Sequence, residues 1–168
     1  MFGRCLQWQD YVSSGAWPDC DMLPVGHIRL CENGGRMTRF TKAEQRTVMT
    51  LWSIFRSPLM IGCELTDCDA FTLSLFTNRE LIKMLKTSYG GRQTLRNEEN
   101  GKGETVWEAK GENCRYIALF NTDDKIRKIG YNSENEIISD IWENKTVDFT
   151  GEAEVEPHGV RLFKMEKK

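Results

Sequence analysis

The sequence of 168 residues lacks the hallmarks of several protein classes. It has no uninterrupted apolar run near the roughly 18 to 20 residues of a membrane helix, because Arg56, Glu64 and Asp67 interrupt the longest candidates. Its formal charge is only −2, so it lacks the positive field that non-specific nucleic-acid binding requires. Its first residues show no secretory signal pattern. We therefore expect neither a membrane nor a nucleic acid as partner.

Metal-binding patterns are also scarce. The only two histidines, His27 and His158, lie far apart in the sequence and belong to no ligand-spacing motif. The cysteines have no C-x-x-C spacing, which favours free thiols and leaves disulfides or metal binding as alternatives. The six cysteines are Cys5, Cys20, Cys31, Cys63, Cys68 and Cys114. We predict no metal and no cofactor.

Two kinds of periodicity divide the chain near Tyr89-Gly90-Gly91, where the glycine pair predicts a turn or linker. Before it, Thr41 and Glu44 have capping-box spacing and start an amphipathic helix. The apolar positions of that helix are Val48, Leu51, Trp52 and Phe55. The helix is expected to end before Pro58, and Pro58–Gly62 is interpreted as a short buried strand.

Further helices and a strand complete the first half. A helical turn is predicted over Asp69–Leu75, and Thr77 and Glu80 repeat the capping spacing ahead of another helix. The apolar face of that helix comprises Leu81, Ile82 and Leu85. If Asp19–Leu23 is also a strand, the order of elements is typical of a parallel α/β sheet.

After Gly91 the apolar runs become short and rich in β-formers, with turns containing Gly, Asn and Asp between them. The polar stretch 97–103 is interpreted as a hairpin loop. This half is predicted to be a small antiparallel β-sandwich. The predicted strands are Thr105–Ala109, Arg115–Phe120, Ile137–Trp142 and Val160–Met165.

One segment, residues 17–26, has the composition of a functional site. On a strand, Asp19 and Asp21 would point to the same face with carboxylates roughly 7 Å apart, which suggests acid/base chemistry or binding of a sugar. The alternative is that one aspartate caps a turn, the other is solvated, and Trp17 packs on the neighbouring helix.

Two linked motifs resemble a known family. Residues 17–23 resemble W-x-D-x-D-M-L, and residues 51–65 resemble L-W-x-x-x-x-x-P-L-x-x-G-x-D-L, both signatures of the α-galactosidases and α-N-acetylgalactosaminidases of glycoside hydrolase family 27. Segments 117–121, 140–142 and 157–160 are similar to landmarks of the C-terminal β-domain of that family. The resemblance extends over nearly the whole chain.

The resemblance implies that residues 1–88 are the last two βα units of an incomplete (β/α)₈ TIM barrel and residues 91–168 the appended antiparallel β-sandwich. Asp19–Leu23 would be strand seven and Pro58–Gly62 strand eight, with the site at the carboxyl ends of the strands. The resemblance places Asp21 and Met22 in the pocket for a terminal α-galactosyl unit. Trp17 and Asp19 are further substrate-binding candidates.

The resemblance also has a gap. The family's nucleophile and acid/base lie in K-Y-D and R-x-x-x-D segments that this sequence does not contain. We expect no catalytic residue in this chain, an inactive isolated chain, and a missing N-terminal segment or partner chain that completes the barrel. The choice between galactose and N-acetylgalactosamine stays open. As an alternative function, the β-rich half is a non-catalytic carbohydrate-binding or partner-docking domain in which Trp107 and Trp142 stack on sugar rings.

Overall fold

The computed structural model describes residues 1–29, 33–148 and 150–168. Cys31 lies outside the described residues. Two single 3₁₀ turns, Gln9–Tyr11 and Leu65–Asp67, accompany the α-helices. The helices are α1 (Phe2–Trp8), α2 (Lys42–Ile54), α3 (Ala70–Thr77) and α4 (Arg79–Thr87). The longest of these has 13 residues, and no helix among the described residues is long and apolar enough to cross a bilayer.

The strands form three sheets. β1 and β2 make a small hairpin, β6 pairs with β9, and the main six-stranded sheet has the order β3-β4-β5-β10-β7-β8. The strands are β1 (His27–Ile28), β2 (Arg36–Met37), β3 (Tyr89–Glu99), β4 (Lys102–Lys110), β5 (Cys114–Asn121), β6 (Arg127–Gly130), β7 (Glu136–Asp140), β8 (Lys145–Val147), β9 (Glu152–Val155) and β10 (Val160–Lys167). All strand pairs in these sheets are antiparallel.

The main sheet is covered on both faces, which explains the continuous apolar run of β5. Because side chains alternate along a strand, Ile117 and Leu119 face a core shared with β6 and β9. Tyr116, Ala118 and Phe120 face a second core that the helices complete. The predicted β-sandwich is confirmed, and three of its four predicted strands lie within observed ones. The fourth, Ile137–Trp142, ends sooner, because β7 stops at Asp140.

Helix α2 begins as its sequence predicts. Thr41 is the N-cap, and the reciprocal bonds of a capping box join it to Glu44. The helix packs against β10, β4 and β5, so it lies on the side of the main sheet opposite β6 and β9. It ends at Ile54, and the backbone then takes a left-handed conformation at Arg56, with φ of 64°, before Pro58.

Helices α3 and α4 follow each other with separate caps. The side chain of Asp69 caps α3, which extends the predicted helical turn by two residues. The predicted cap of the next helix at Thr77 is wrong, since Thr77 is the last residue of α3. Asn78 caps α4 instead, by accepting a hydrogen bond from the amide of Leu81 at 3.0 Å. Threonine and asparagine are both favourable N-cap residues, so the spacing in the sequence placed the start of α4 one residue too early.

The glycine pair is not a turn, contrary to the sequence-based expectation. Gly90 and Gly91 lie inside β3, at an irregularity in its pairing with β4. A Cβ at Gly91 would lie 2.3 Å from the carbonyl oxygen of Ile54, so a side chain is excluded where the strand passes the end of α2. The predicted loop over 97–103 is shorter, because the hairpin turns at Asn100 and Gly101.

The expected strands Asp19–Leu23 and Pro58–Gly62 do not form as strands, but the two segments meet. Leu23 forms a parallel bridge with Ile61. The amide of Leu23 donates to Met60 at 2.7 Å, and the amide of Gly62 donates to Leu23 at 3.2 Å. A ladder needs consecutive bridges, and a single parallel contact without further neighbours does not supply them.

Candidate functional site

The backbone at Asp21 is bent rather than extended. Its φ is 70°, in the left-handed region, which aspartate enters more readily than most residues. The amide of Asp21 donates to Oδ1 of Asp19 at 2.7 Å, and the amide of Met22 donates to Oδ1 of Asp21 at 2.6 Å. Each carboxylate therefore has one oxygen bound to the main chain, and the other oxygen accepts no hydrogen bond from the described residues. Both side chains are exposed.

Two side chains distant in sequence hold this bend. The indole Nε1 of Trp52 on α2 donates to the carbonyl of Asp21 at 3.1 Å. The amide of Cys20 donates to the hydroxyl of Ser57 at 2.9 Å. The sequence gives no sign of this role of Ser57, because a serine beside a proline carries no signal for a contact 37 residues away.

A cavity of about 470 Å³ lies beside the bend. The residues that line this cavity include Cys5, Trp8, Asp19, Cys20 and Asp21. A hydrogen bond from the Cys5 thiol, aided by the Ser57 hydroxyl, lowers the pKa of Cys20 to about 7. The same contact with Cys20 raises the pKa of Cys5. Of these two thiols, the one whose pKa is lowered belongs to Cys20, the chain neighbour of Asp21.

The remaining predicted site residues lie on the same segment and are open to solvent. Trp17 is 53 % exposed and Met22 is 57 % exposed. Gly62 makes room for Met22, since a Cβ at Gly62 would lie 3.2 Å from the Cβ of Met22 and 2.9 Å from the carbonyl oxygen of Leu23. This close approach leaves no room for a side chain at position 62.

The two histidines hold loops. His27 Nδ1 contacts Oδ2 of Asp67 at 2.5 Å, and its Nε2 contacts the carbonyl of Gly34 at 3.1 Å. His158 Nε2 contacts Oδ1 of Asp124 at 2.8 Å. Among the described residues, no three His, Cys, Asp or Glu side chains converge as they would around a metal ion.

The tryptophans of the alternative function are not arranged for sugar stacking. Trp107 is fully buried and meets the ring of Phe55 edge-on at 5.7 Å, so it cannot stack on a ligand. Trp142 is partly buried, donates its Nε1 hydrogen to the hydroxyl of Thr50 at 2.9 Å, and has the guanidinium of Arg46 over its ring. Both belong to the contact between the main sheet and the helices.

Comparison with known proteins relates this chain to glycosidases. Residues 102–165 match the family model described as the alpha galactosidase C-terminal beta sandwich domain. Fold and sequence therefore place the β-rich half among domains that accompany glycosidases. Alpha-galactosidase D of Emericella nidulans is 30 % identical over 93 % of this chain and 24 % of its own length. Alpha-galactosidase 2 of Arabidopsis thaliana is 29 % identical over 96 % of this chain and 41 % of its own.

A solved structure resembles the whole chain. The glycoside hydrolase family 27 β-L-arabinopyranosidase of Geobacillus stearothermophilus is 41 % identical, with a TM-score of 0.88 over 99 % of this chain and 40 % of its own. A variant of that enzyme was solved in complex with arabinose. The chain belongs to glycoside hydrolase family 27 and corresponds to a C-terminal part of its α-galactosidases. It spans less than half the length of these relatives.

Proposed function

We propose that residues 1–88 are the last two βα units of a (β/α)₈ barrel and that residues 91–168 are the β-sandwich appended to it. The observation that carries this proposal is the parallel contact between Leu23 and Ile61. Each partner precedes a helix, α2 after Leu23 and α3 after Ile61, as in consecutive βα units. The fit of 99 % of the chain to a family 27 enzyme supports the same arrangement.

Within that barrel, this chain supplies part of a sugar pocket. The free carboxylate oxygen of Asp21 accepts hydrogen bonds from sugar hydroxyls, and Asp19 fixes the bend that presents it. Met22 and Trp17 offer exposed apolar faces on the same segment, which suit the apolar face of a sugar ring. The ligand class is a terminal α-galactosyl carbohydrate, in line with the α-galactosidases among the relatives.

Asp19 and Asp21 do not act as the catalytic pair. A retaining glycosidase needs a nucleophile and an acid about 5 to 5.5 Å apart, with the acid kept protonated by apolar surroundings. Both aspartates are exposed, and each already accepts a main-chain hydrogen bond. The whole enzyme hydrolyses terminal α-galactosides with retention, while its two catalytic carboxylates come from barrel strands outside this chain.

Those other strands are also the partner of this chain, whether as a preceding segment or as a separate polypeptide. Met22, Met60 and Ile61 lie at the parallel contact and are 57 %, 50 % and 41 % exposed. A lone pair of parallel segments leaves unpaired main-chain groups on both sides, and barrel closure removes such edges. Completion of the barrel would cover Met60 and Ile61 and leave Met22 at the sugar pocket.

The first experiment uses the chain alone. The purified 168-residue protein is incubated with an aryl α-galactoside, and no release of the phenol is expected, because the chain holds no positioned nucleophile and acid. Release that disappears in the Asp21→Asn variant would contradict this assignment.

The second experiment restores the missing strands. This chain replaces the matching C-terminal region of the Geobacillus arabinopyranosidase, and hydrolysis of its aryl glycoside is measured. We expect an active chimera in which Asp21→Asn lowers kcat/KM by about 100-fold or more. The amide oxygen of asparagine stays bound to the amide of Met22, and the NH2 group in place of the second oxygen cannot accept from a sugar hydroxyl. Asp10→Asn is the matched control, because Asp10 is exposed and its carboxylate pairs with Arg92 on the surface. Equal effects of the two substitutions would remove Asp21 from the pocket.

A further inference from the structure

Two thiols approach each other in the loop that follows the parallel contact. The sulfur atoms of Cys63 and Cys68 are 3.8 Å apart, and both residues are partly exposed. The thiols of Cys5 and Cys20 are much less accessible to solvent, since these residues are only 1 % and 8 % exposed. A small oxidant can therefore reach the first pair without unfolding of the core.

The loop between the two thiols is held compact by its own contacts. The carboxylate of Glu64 accepts from both the amide and the hydroxyl of Thr66, at 3.0 Å and 2.7 Å. The Cys68 thiol donates to the carbonyl of Glu64 at 3.3 Å. These bonds enclose a single 3₁₀ turn, Leu65–Asp67, and bring Cys68 back against Glu64.

One residue outside the loop fixes both of its ends. The amide of Glu64 donates to the carbonyl of His27 at 2.9 Å, next to a bridge between Ile28 and Cys63. The imidazole of the same His27 contacts Asp67 at 2.5 Å. These contacts of His27 with Glu64 and Asp67, called the clamp below, hold the residues that adjoin Cys63 and Cys68. The fold therefore already restricts the chain between the two sulfurs, and little further conformational entropy is lost when they are joined.

We propose that Cys63 and Cys68 are a thiol–disulfide exchange site, at which a small-molecule disulfide of the glutathione type oxidises the pair to an intraloop disulfide. The sulfurs need only approach from van der Waals contact to a bond of about 2.05 Å, a change within reach of side-chain rotation. The modification is independent of the proposed sugar pocket.

The exchange runs in two balanced steps. Burial, with help from the Cys68 thiol, raises the pKa of Cys63 to about 11, which favours Cys68 as the first of the two thiols to attack. Cys68 gives up its proton to water, and its sulfur attacks one sulfur of the small disulfide and releases one thiolate. Cys63 then loses its proton to water, attacks the Cys68 sulfur and releases the second thiolate. Two protein thiols are oxidised, and one small disulfide is reduced to two thiols.

The sequence makes this site simple to read by mass spectrometry. Trypsin cleaves after Arg56 and Arg79, and the peptide between them contains Cys63 and Cys68 as its only cysteines. The whole chain is equilibrated with mixtures of oxidised and reduced glutathione, quenched with acid, alkylated and digested. We expect peptide 57–79 to appear unalkylated and about 2 Da lighter, through loss of two hydrogens. Two alkyl groups under oxidising conditions, two glutathione adducts, or a link to another peptide would overturn the proposal.

A comparison of folded and unfolded chain tests the role of the fold. In urea, two cysteines five residues apart still form some disulfide by chance encounter. We expect the equilibrium constant for intraloop disulfide formation against glutathione to be at least about tenfold larger in the folded chain, because the clamp holds the sulfurs together. Equal constants would show that the structure contributes nothing and would overturn the assignment.

The clamp provides a second, milder test with a matched control. His27→Ala removes the contact with Asp67 and is expected to lower that equilibrium constant about two- to tenfold, the value of one hydrogen-bonded contact. His158→Ala removes the similar contact with Asp124 elsewhere in the chain and should leave the constant unchanged. The same shift in both variants, or in neither, would count against the proposed clamp. Cys68→Ser, which retains the Cys63 thiol, should show one alkyl group and no internal bond.

Discussion

The β-rich region, residues 89–168, and the helical region, residues 1–88, treat their apolar side chains differently. Of the sixteen large apolar side chains exposed in the described part of the chain, twelve belong to the helical region. The β-rich region has a core made entirely of its own residues, whereas the other core draws on both regions. The β-rich region therefore buries one core by itself, whereas the helical region buries its apolar side chains partly against the β-rich region.

Topology explains this difference. Antiparallel strands joined by hairpins find their partners nearby in sequence, so one stretch of chain can pair most of its own main-chain groups. Parallel βα units need neighbours on both sides and helices over both faces. Among the described residues of the helical region, one parallel bridge forms, at Leu23 and Ile61, and Met22, Met60 and Ile61 beside it stay exposed.

The largest predicted effect tests the shared core. Trp107→Ala should lower the free energy of unfolding by about 3 to 5 kcal/mol, because Trp107 is fully buried and packs on Phe55 of the helical region. Trp17→Ala removes the same ring from a site that is 53 % exposed and should change it by at most about 0.5 kcal/mol. Guanidinium unfolding measures both, and losses of equal size would mean that the two regions do not share a core.

The next prediction concerns an ion pair inside the β-rich region. The hydrogen bond from Arg115 holds the pKa of Glu136 at about 2, below its usual 4.5. Since the folded pKa is the lower one, the stabilisation is complete above about pH 4.5 and disappears as the pH falls towards 2. Glu136→Gln should lower the free energy of unfolding by about 1 to 2 kcal/mol at pH 7, because this side chain is 7 % exposed.

The pH dependence of stability distinguishes this buried ion pair from an exposed one. The deficit of Glu136→Gln should shrink when urea unfolding is repeated near pH 2.5, where the wild-type carboxylate begins to take up its proton. Asp10→Asn removes an exposed pair that joins the helical region to Arg92 of β3, with side chains 69 % and 57 % exposed, and should change the free energy of unfolding little at any pH. A deficit of Glu136→Gln that stays constant with pH would refute the linkage.

The smallest predicted effect lies in the helical region. Thr41→Ala removes the side chain that caps α2 and should cost about 1 kcal/mol of unfolding free energy. Thr41→Ser keeps the hydroxyl and should recover most of that loss. If the alanine variant is as stable as the wild type, packing against the main sheet alone decides where α2 begins. Thermal unfolding followed by circular dichroism distinguishes these outcomes.

Local patterns allowed much of the fold to be predicted. The capping box at Thr41 and Glu44, and the apolar runs of β4, β5 and β10, are confirmed because they depend on neighbours in sequence. β3 was missed, since it is a mostly polar, exposed edge strand that starts at a glycine pair. Its place follows from pairing with β4 and from the close approach of Gly91 to Ile54.

The candidate site shows the same limits. Motifs pointed to residues 17–23, and the assignment of Asp19, Asp21, Met22 and Trp17 to a sugar pocket stays a prediction. An extended strand was expected there, but the bend at Asp21 is set by the indole of Trp52 and held beside Ser57. Such contacts join residues more than thirty positions apart, and no local pattern encodes them.

The amino-acid sequence by itself determined the family, the cap of α2 at Thr41 and the apolar run of β5, because each of these depends on residues close together along the chain. Tertiary structure alone decided the left-handed turn at Asp21, the burial of Trp107, and the meeting of Cys63 with Cys68 under His27. These features arise where separate segments pack, and there the geometry depends on which distant groups a residue contacts.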